Sequence, residues 1–342
     1  MIENPTMSSK PAPRRIRISV PLDDFHPLPL TGNPHLQTIL GSLWTGPKLR
    51  HPTRSQVLPL GDGDALMIYD CVPDRWQMGD RIAVLVHGLT GSHASPQLVR
   101  MSRALLGLGV RVVRLDQRGN AAGLPLARGS YHAGRSEDVR AVLAEVHRWS
   151  PTSPIALHGT SLGGNLVLKL AGEAGDSPVP GLDRVCAMSP PIDMRASSDL
   201  LRLPANRRYD QRFTRHLVRE VAERARLFPD LPVIRFPSHV TVRLFDELHT
   251  APRNGFVDAL DYYTRTSAAP IVHRSPVPTL LLTARDDPFI AVEPFEALRV
   301  PEHVEVAIAP RGGHVAFLGR DGAGGIRWAE HRLVLWMTAP AG

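Results

Sequence analysis

Apolar positions set a helical rhythm early in the chain. In "GNPHLQTILGSLW", a turn at Gly32-Asn33-Pro34 precedes Leu36, Ile39, Leu40, Leu43 and Trp44. These fall at i, i+3, i+4, i+7 and i+8, which predicts an amphipathic helix. "SQVLPLGDGDALMIYDCV" reads as two strands around the Gly61-Asp62-Gly63 turn. Next come short, almost wholly apolar runs separated by helical patterns. "RIAVLVHG" is a strand, "PQLVRMSRALLGLG" a helix ending at Gly109, "VRVVRLDQRG" a strand and "SEDVRAVLAEVHRW" a helix. "PIALHG" is again a strand, "LGGNLVLKLAGEA" a helix and "DRVCAMSPP" a strand. Strands alternating with helices predict an α/β fold with a mostly parallel sheet, because parallel neighbours need crossover connections. Strands without polar alternation predict helices on both faces.

The rhythm pauses between residues 191 and 275, a stretch rich in arginine and proline. Within it "QRFTRHLVREVAERARLF" gathers Phe213, Leu217, Val218, Val221, Ala222 and Ala225 on one side, which predicts an amphipathic helix over 211–228. The α/β pattern returns with "PVPTLLLTARDDPF", "HVEVAIAPRGGHVAF" and a last helix in "GIRWAEHRLVLWMTA". The pause reads as a helical cap inserted into one domain spanning 21–342. Residues 1–15 are polar and proline-rich, and the segment 1–20 is expected to be disordered.

Composition narrows the class. With 342 residues, 43% hydrophobic and 21% charged, the chain matches an ordinary globular enzyme. No apolar stretch approaches the roughly 18 residues of a membrane span. The N-terminus lacks the apolar core of a signal peptide, so the cytoplasm is the expected location. Cys71 and Cys186 both sit in apolar runs and are expected as buried free thiols. The net charge of +7 comes almost entirely from scattered arginines, since Lys10, Lys48 and Lys169 are the only lysines. No nucleic-acid recognition pattern accompanies that charge, so nucleic acid is not an expected partner.

Chemistry enters at Gly159-Thr160-Ser161-Leu162-Gly163, a G-x-S-x-G between an apolar strand and a helix. That context suits a nucleophile elbow, in which a sharp turn presents Ser161 at the carboxyl edge of the sheet. A serine hydroxyl needs a base. His314, behind Gly312 and Gly313 after the last strand, is the best placed histidine. His158 precedes the elbow and is expected to be buried beside it. An acid should orient the imidazole. Asp286 and Asp287 both stand at the end of "LLLTARDDPF"; Asp286 is favoured, with Asp193 an outside alternative. Oxyanion donors are expected from the N–H groups of Leu162 and Leu89, the latter in the loop "HGLTGS". His87 is expected to hold that loop by a hydrogen bond. Neither H-E-x-x-H nor a G-x-G-x-x-G after a strand occurs, so the chemistry is expected to need no metal or cofactor.

These segments together resemble the bacterial YheT-like α/β-hydrolases, related to plant EMB8-like proteins and the animal ABHD1/ABHD3 group. "GNPHLQTI", "HGLTGS", "GTSLGGN", "FDELHTAPRNGFVDALDYY", "DDPF" and "GGHVAF" carry the resemblance. It implies an α/β-hydrolase fold with a cap, and a triad of Ser161, Asp286 and His314. It also implies carboxylesterase or lipase activity on a small-molecule acyl ester. Acyl transfer, thioester cleavage and a non-catalytic scaffold are the alternatives. Some animal relatives act on phospholipids and carry an N-terminal membrane anchor; none is read in this sequence. "RGN" at Arg118 to Asn120 departs from the Arg-Gly-Cys of relatives and reads as turn chemistry. Asp246 and Thr250 read as a capped turn, or alternatively as part of the substrate mouth. The arginine-rich helix reads as a solvated face, with contact to anionic lipid surfaces as a lesser alternative.

Overall fold

The computed structural model describes Ile16 and residues 25–340. The expected disorder of 1–20 therefore lies outside the described residues, save for Ile16, which is buried. Eight strands form one sheet in the order β1-β2-β4-β3-β5-β6-β7-β8. They are β1 (Arg54–Pro59), β2 (Ala65–Cys71), β3 (Ile82–Val86), β4 (Arg111–Asp116), β5 (Ile155–Thr160), β6 (Leu182–Met188), β7 (Thr279–Ala284) and β8 (Val304–Ala309). β2 runs antiparallel to both of its neighbours, and every pairing from β4 through β8 is parallel.

The apolar strands are buried on both faces because successive side chains point to opposite sides. On β3, Ile82, Val84 and Val86 join one core while Ala83 and Leu85 join the other. The first core packs beneath α3 (Ser136–Trp149) and α4 (Leu162–Glu173). The second packs beneath α2 (Pro96–Gly107) and the C-terminal helix Trp328–Thr338. Each fully buried Leu, Ile or Val contributes about 1.5–3 kcal/mol by leaving water.

Of the first two helices, one ends short of the sequence expectation and the other starts on it. α2 stops at Gly107, since Leu108 and Gly109 turn back and Gly109 takes φ +80°. α1 (Pro34–Leu43) begins where the pattern predicts, with the Asn33 side chain accepting from the His35 and Leu36 amides.

Between β6 and β7 the chain forms more helix than the single amphipathic stripe implied. α5 (Met194–Leu201) and α6 (Arg207–Leu227) are followed by a run comprising Val242–Phe245, a π-turn Asp246–Thr250 and Ala251–Arg253, then Ala259–Thr266. α6 starts four residues before the expected 211. One of its arginines also departs from the solvated reading: Arg224 is buried and donates to the Gly119 carbonyl. Cys71 and Cys186 are both free and buried.

Candidate active site

The turn between β5 and α4 gives Ser161 a backbone of φ 52°, ψ −124°, a strained region for a residue with a Cβ. Three backbone bonds hold it there. Its N–H donates to Met188 O at 2.8 Å, and its own carbonyl accepts from Gly164 N and Asn165 N at 2.8 and 3.2 Å. Close packing explains the flanking glycines. A Cβ on Gly159 would lie 2.1 Å from Gly163 O, and one on Gly163 would lie 2.3 Å from His87 O. Gly163→Ala is accordingly expected to destabilise the fold by about 1–3 kcal/mol through overpacking. Urea unfolding with an unchanged midpoint would contradict that packing account.

His314 lies beyond β8. Its Nε2 is 2.9 Å from Ser161 Oγ, and its Nδ1 is 2.8 Å from Asp287 Oδ2. The carboxylate beside the imidazole thus belongs to Asp287, which corrects the expectation of Asp286. The two aspartates diverge because the chain turns sharply after β7. Asp287 faces inward, with its side chain fully buried, and its other oxygen accepts from Phe289 N and Ile290 N, each at 3.1 Å. Asp286 Oδ1 instead accepts from Gly313 N at 3.0 Å. Burial, joined by the Asp287 charge and opposed by the backbone bond from Gly313, leaves the Asp286 carboxyl above its usual range. The Asp193 side chain instead caps α5, accepting from Ala196 N.

The histidine loop is braced by α1. His314 N donates to Thr38 Oγ1 at 2.9 Å, and Thr38 Oγ1 donates to Pro34 O at 2.8 Å. Gln37 is buried and bonds both the carbonyl and the amide of Leu318. The Phe289 ring lies 4.1 Å from the imidazole, centroid to centroid. "GNPHLQTI" therefore seats its helix and also fixes the backbone of His314, a role that its apolar stripe does not disclose.

Leu89 follows His87-Gly88. Gly88 O accepts from His87 Nδ1 at 2.7 Å and from Gly91 N at 3.0 Å. Because the peptide is trans, fixing this carbonyl aims the Leu89 N–H to the opposite side. Burial pulls the His87 imidazole down to about 4, so it is neutral near pH 7. Its Nε2 accepts from Gln117 N at 3.1 Å, which leaves Nδ1 as the donor. Among the described residues, neither Leu89 N–H nor Leu162 N–H has a protein acceptor.

Several residues tie this loop from behind. Thr90 N donates to Tyr131 Oη at 2.9 Å, and Asn120 Nδ2 donates to Gly91 O at 2.9 Å. His93 donates its amide to Asp116 at 2.7 Å and stacks on Tyr69. Asn120, in the "RGN" that read as turn chemistry, thus also supports the Leu89 loop. Its neighbour Arg118 is buried against Asp64 and Asp138. His158 is buried, with Nε2 at 3.0 Å from Thr160 Oγ1. Burial lowers its imidazole to about 3.

A cavity of about 60 Å³ opens at Leu89 and Leu162, walled in part by Met194, Leu217 and Phe245. Asp246 and Thr250 line it too. Tyr263 Oη donates to Asp246 at 2.7 Å, and burial raises the Asp246 carboxyl to about 6. Among the described residues, no group of three His, Cys, Asp or Glu stands close enough to hold a metal ion. No helix among them is long and apolar enough to cross a membrane.

An elbow serine on an eight-stranded sheet of this order defines a class, and sequence comparison agrees. Residues 83–323 match the family model described as "Alpha/beta hydrolase family", and the chain belongs to that family. Within it the chain groups with the YheT-like proteins. It is 33% identical over 323 residues to the Escherichia coli (strain K12) protein named "Putative esterase YheT", covering 92% of this chain and 93% of that one. It is 25% identical to the Saccharomyces cerevisiae "Medium-chain fatty acid ethyl ester synthase/esterase 2", over 75% of this chain and 62% of that protein. It is 28% identical to Homo sapiens "Phospholipase ABHD3", over 69% of this chain and 58% of that protein. The match thus spans less than two thirds of the yeast and human proteins. A solved 2,6-dihydroxy-pseudo-oxynicotine hydrolase shares the fold at 17% identity and TM-score 0.57, over 89% of this chain and 70% of that one. The Pyrococcus furiosus esterase Pf2001 does so at 16% and 0.54, over 86% and 95%.

Proposed function

We propose that the protein is a serine esterase that hydrolyses small acyl esters through Ser161, His314 and Asp287. The observation that carries this reading is the unbroken relay of contacts, 2.9 Å from Ser161 Oγ to His314 Nε2 and 2.8 Å from His314 Nδ1 to Asp287. Asp287 accepts a hydrogen bond from Nδ1–H, leaving the Nε2 lone pair facing the hydroxyl. Ser161 Oγ attacks the ester carbonyl while its proton passes to Nε2. The developing oxyanion lies against the N–H groups of Leu89 and Leu162, each donor being worth about 3 kcal/mol to the transition state. Nε2–H then protonates the leaving alcohol as the acyl-enzyme forms. Water repeats the sequence, giving its proton to Nε2 and releasing the acid and free Ser161.

The names of the relatives, esterase and phospholipase among them, support an acyl ester as substrate. The name synthase/esterase on the yeast relative favours one variant, transfer of the acyl group to an alcohol in place of water. Ester formation in the presence of ethanol distinguishes it. We read residues 191–275 as a cap on a hydrolase domain of 21–342, and the two free thiols support a cytoplasmic setting. A fluorophosphonate probe tests the esterase reading directly. It is expected to label folded protein at Ser161 alone, mapped by mass spectrometry, and not heat-unfolded protein. Absence of labelling in folded protein would refute it.

A further inference from the structure

The cavity at Leu89 and Leu162 shares a wall with a second cleft of about 190 Å³. Ser130, Arg224 and His249 line both, and the second cleft adds Arg128, Arg253 and Asn254. Two of the shared side chains hold polar atoms that nothing among the described residues satisfies. Arg224 is 5% exposed and His249 is 6% exposed. Arg224 Nε and His249 Nδ1 are buried without a hydrogen-bond partner. A buried polar group left unmatched costs about 1–3 kcal/mol, more when charged. Such atoms in the wall of a cavity point to a ligand that supplies the partners.

The sign of that ligand follows from the charges. Arg253 is exposed and makes no ion pair among the described residues. Glu220 lines the cavity and faces Arg224, while Asp230 is taken by Arg128. No carboxylate lines the second cleft, whereas Arg128, Arg224 and Arg253 do. With Arg128 held by Asp230, Arg224 facing Glu220, and Asp246 bonded to Tyr263 in the first cavity, Arg253 is the cation left over at the cleft among the described residues. Burial, then Arg224 and Arg253, depress the His249 imidazole to about 4, so near pH 7 it is neutral and adds no charge. We propose that the substrate carries an anionic group, carboxylate or phosphate, remote from the scissile ester, and that this group is held at Arg224 and Arg253 while the ester carbonyl lies at Leu89 and Leu162. The inference rests on the esterase reading and adds a substrate class to it.

The test compares mono-p-nitrophenyl suberate, which carries a terminal carboxylate, with neutral p-nitrophenyl octanoate. Arg253→Gln removes an exposed cation that makes no side-chain hydrogen bond or ion pair among the described residues, so the fold is expected to hold. It is expected to raise KM for the anionic ester about tenfold, the value of one charge-assisted hydrogen bond, and to leave the neutral ester within about twofold. Arg224→Gln is expected to act in the same direction and also to weaken the tie to Gly119. Equal losses on both esters, or no loss on either, would overturn the proposal. Calorimetric titration of unreactive suberate and hexyl phosphate into wild type and Ser161→Ala separates the two sources of charge and needs no turnover. Binding that Arg253→Gln weakens supports the anion site even if neither ester is hydrolysed, which would sink only the esterase reading. Hydrolysis of the octanoate ester without binding of either anion would sink only the anion site.

Discussion

Ser161→Ala is expected to leave a folded protein whose hydrolysis of p-nitrophenyl butyrate falls by about 10⁴- to 10⁶-fold, the range seen when such a nucleophile is removed. The loss is large because no neighbouring group can replace Oγ on His314 Nε2. Stability should hold to within about 0.5 kcal/mol. The Ser161 hydroxyl does not cap α4, and the backbone bonds to Met188 O and from Gly164 and Asn165 do not involve the side chain. Any residual rate would come from the amides of Leu89 and Leu162 acting on bound ester. Paired rate and urea-unfolding measurements check both halves. Turnover near the wild-type level would remove Ser161 from the reaction.

Asp287→Asn is expected to lower kcat by about 10⁴-fold, while Asp286→Asn costs less than about tenfold. The asymmetry follows from what each carboxylate accepts. At 287 an amide can keep the bonds from Phe289 N and Ile290 N through its oxygen, but it then turns an NH₂ toward His314 Nδ1. The imidazole must respond by placing its proton on Nε2, the wrong tautomer to accept from Ser161. At 286 the amide oxygen still accepts the Gly313 N–H, so the histidine loop keeps its position. Steady-state kinetics on the two variants decide the matter, and a greater loss at 286 would return the acid role to that residue.

The sheet was legible because its evidence is repeated. Each of "IAVLV", "IALHGT" and "TLLLTA" puts apolar residues on both faces, and each helix between strands carries its own stripe. Ser161 and His314 were legible because a glycine-flanked turn after a strand leaves few readings. The choice between Asp286 and Asp287 was not, because adjacent carboxylates share composition and spacing. Only the direction of the turn after Ala284 separates them, and that depends on where Gly313 and Phe289 pack. Thr38 and Asn120 were hidden for a related reason: a hydroxyl and an amide reaching residues 276 and 29 positions away leave no periodic trace. Arg224 escaped because α6 is arginine-rich throughout, and only the nearness of Gly119 makes one of those arginines a buried donor.

Ser161, Asp287 and His314 all lie outside the helices joining β6 to β7, whereas Leu217, Arg224, Phe245 and His249 lie within them and line the cavity. On the proposed reading, bond-breaking and much of molecular selection are therefore encoded in separate stretches of polypeptide. Lineages can retune which compound is accepted by substitutions in one stretch while the other stays fixed. Transplanting that stretch between homologues should then carry a preference with it and leave the reaction type unaltered.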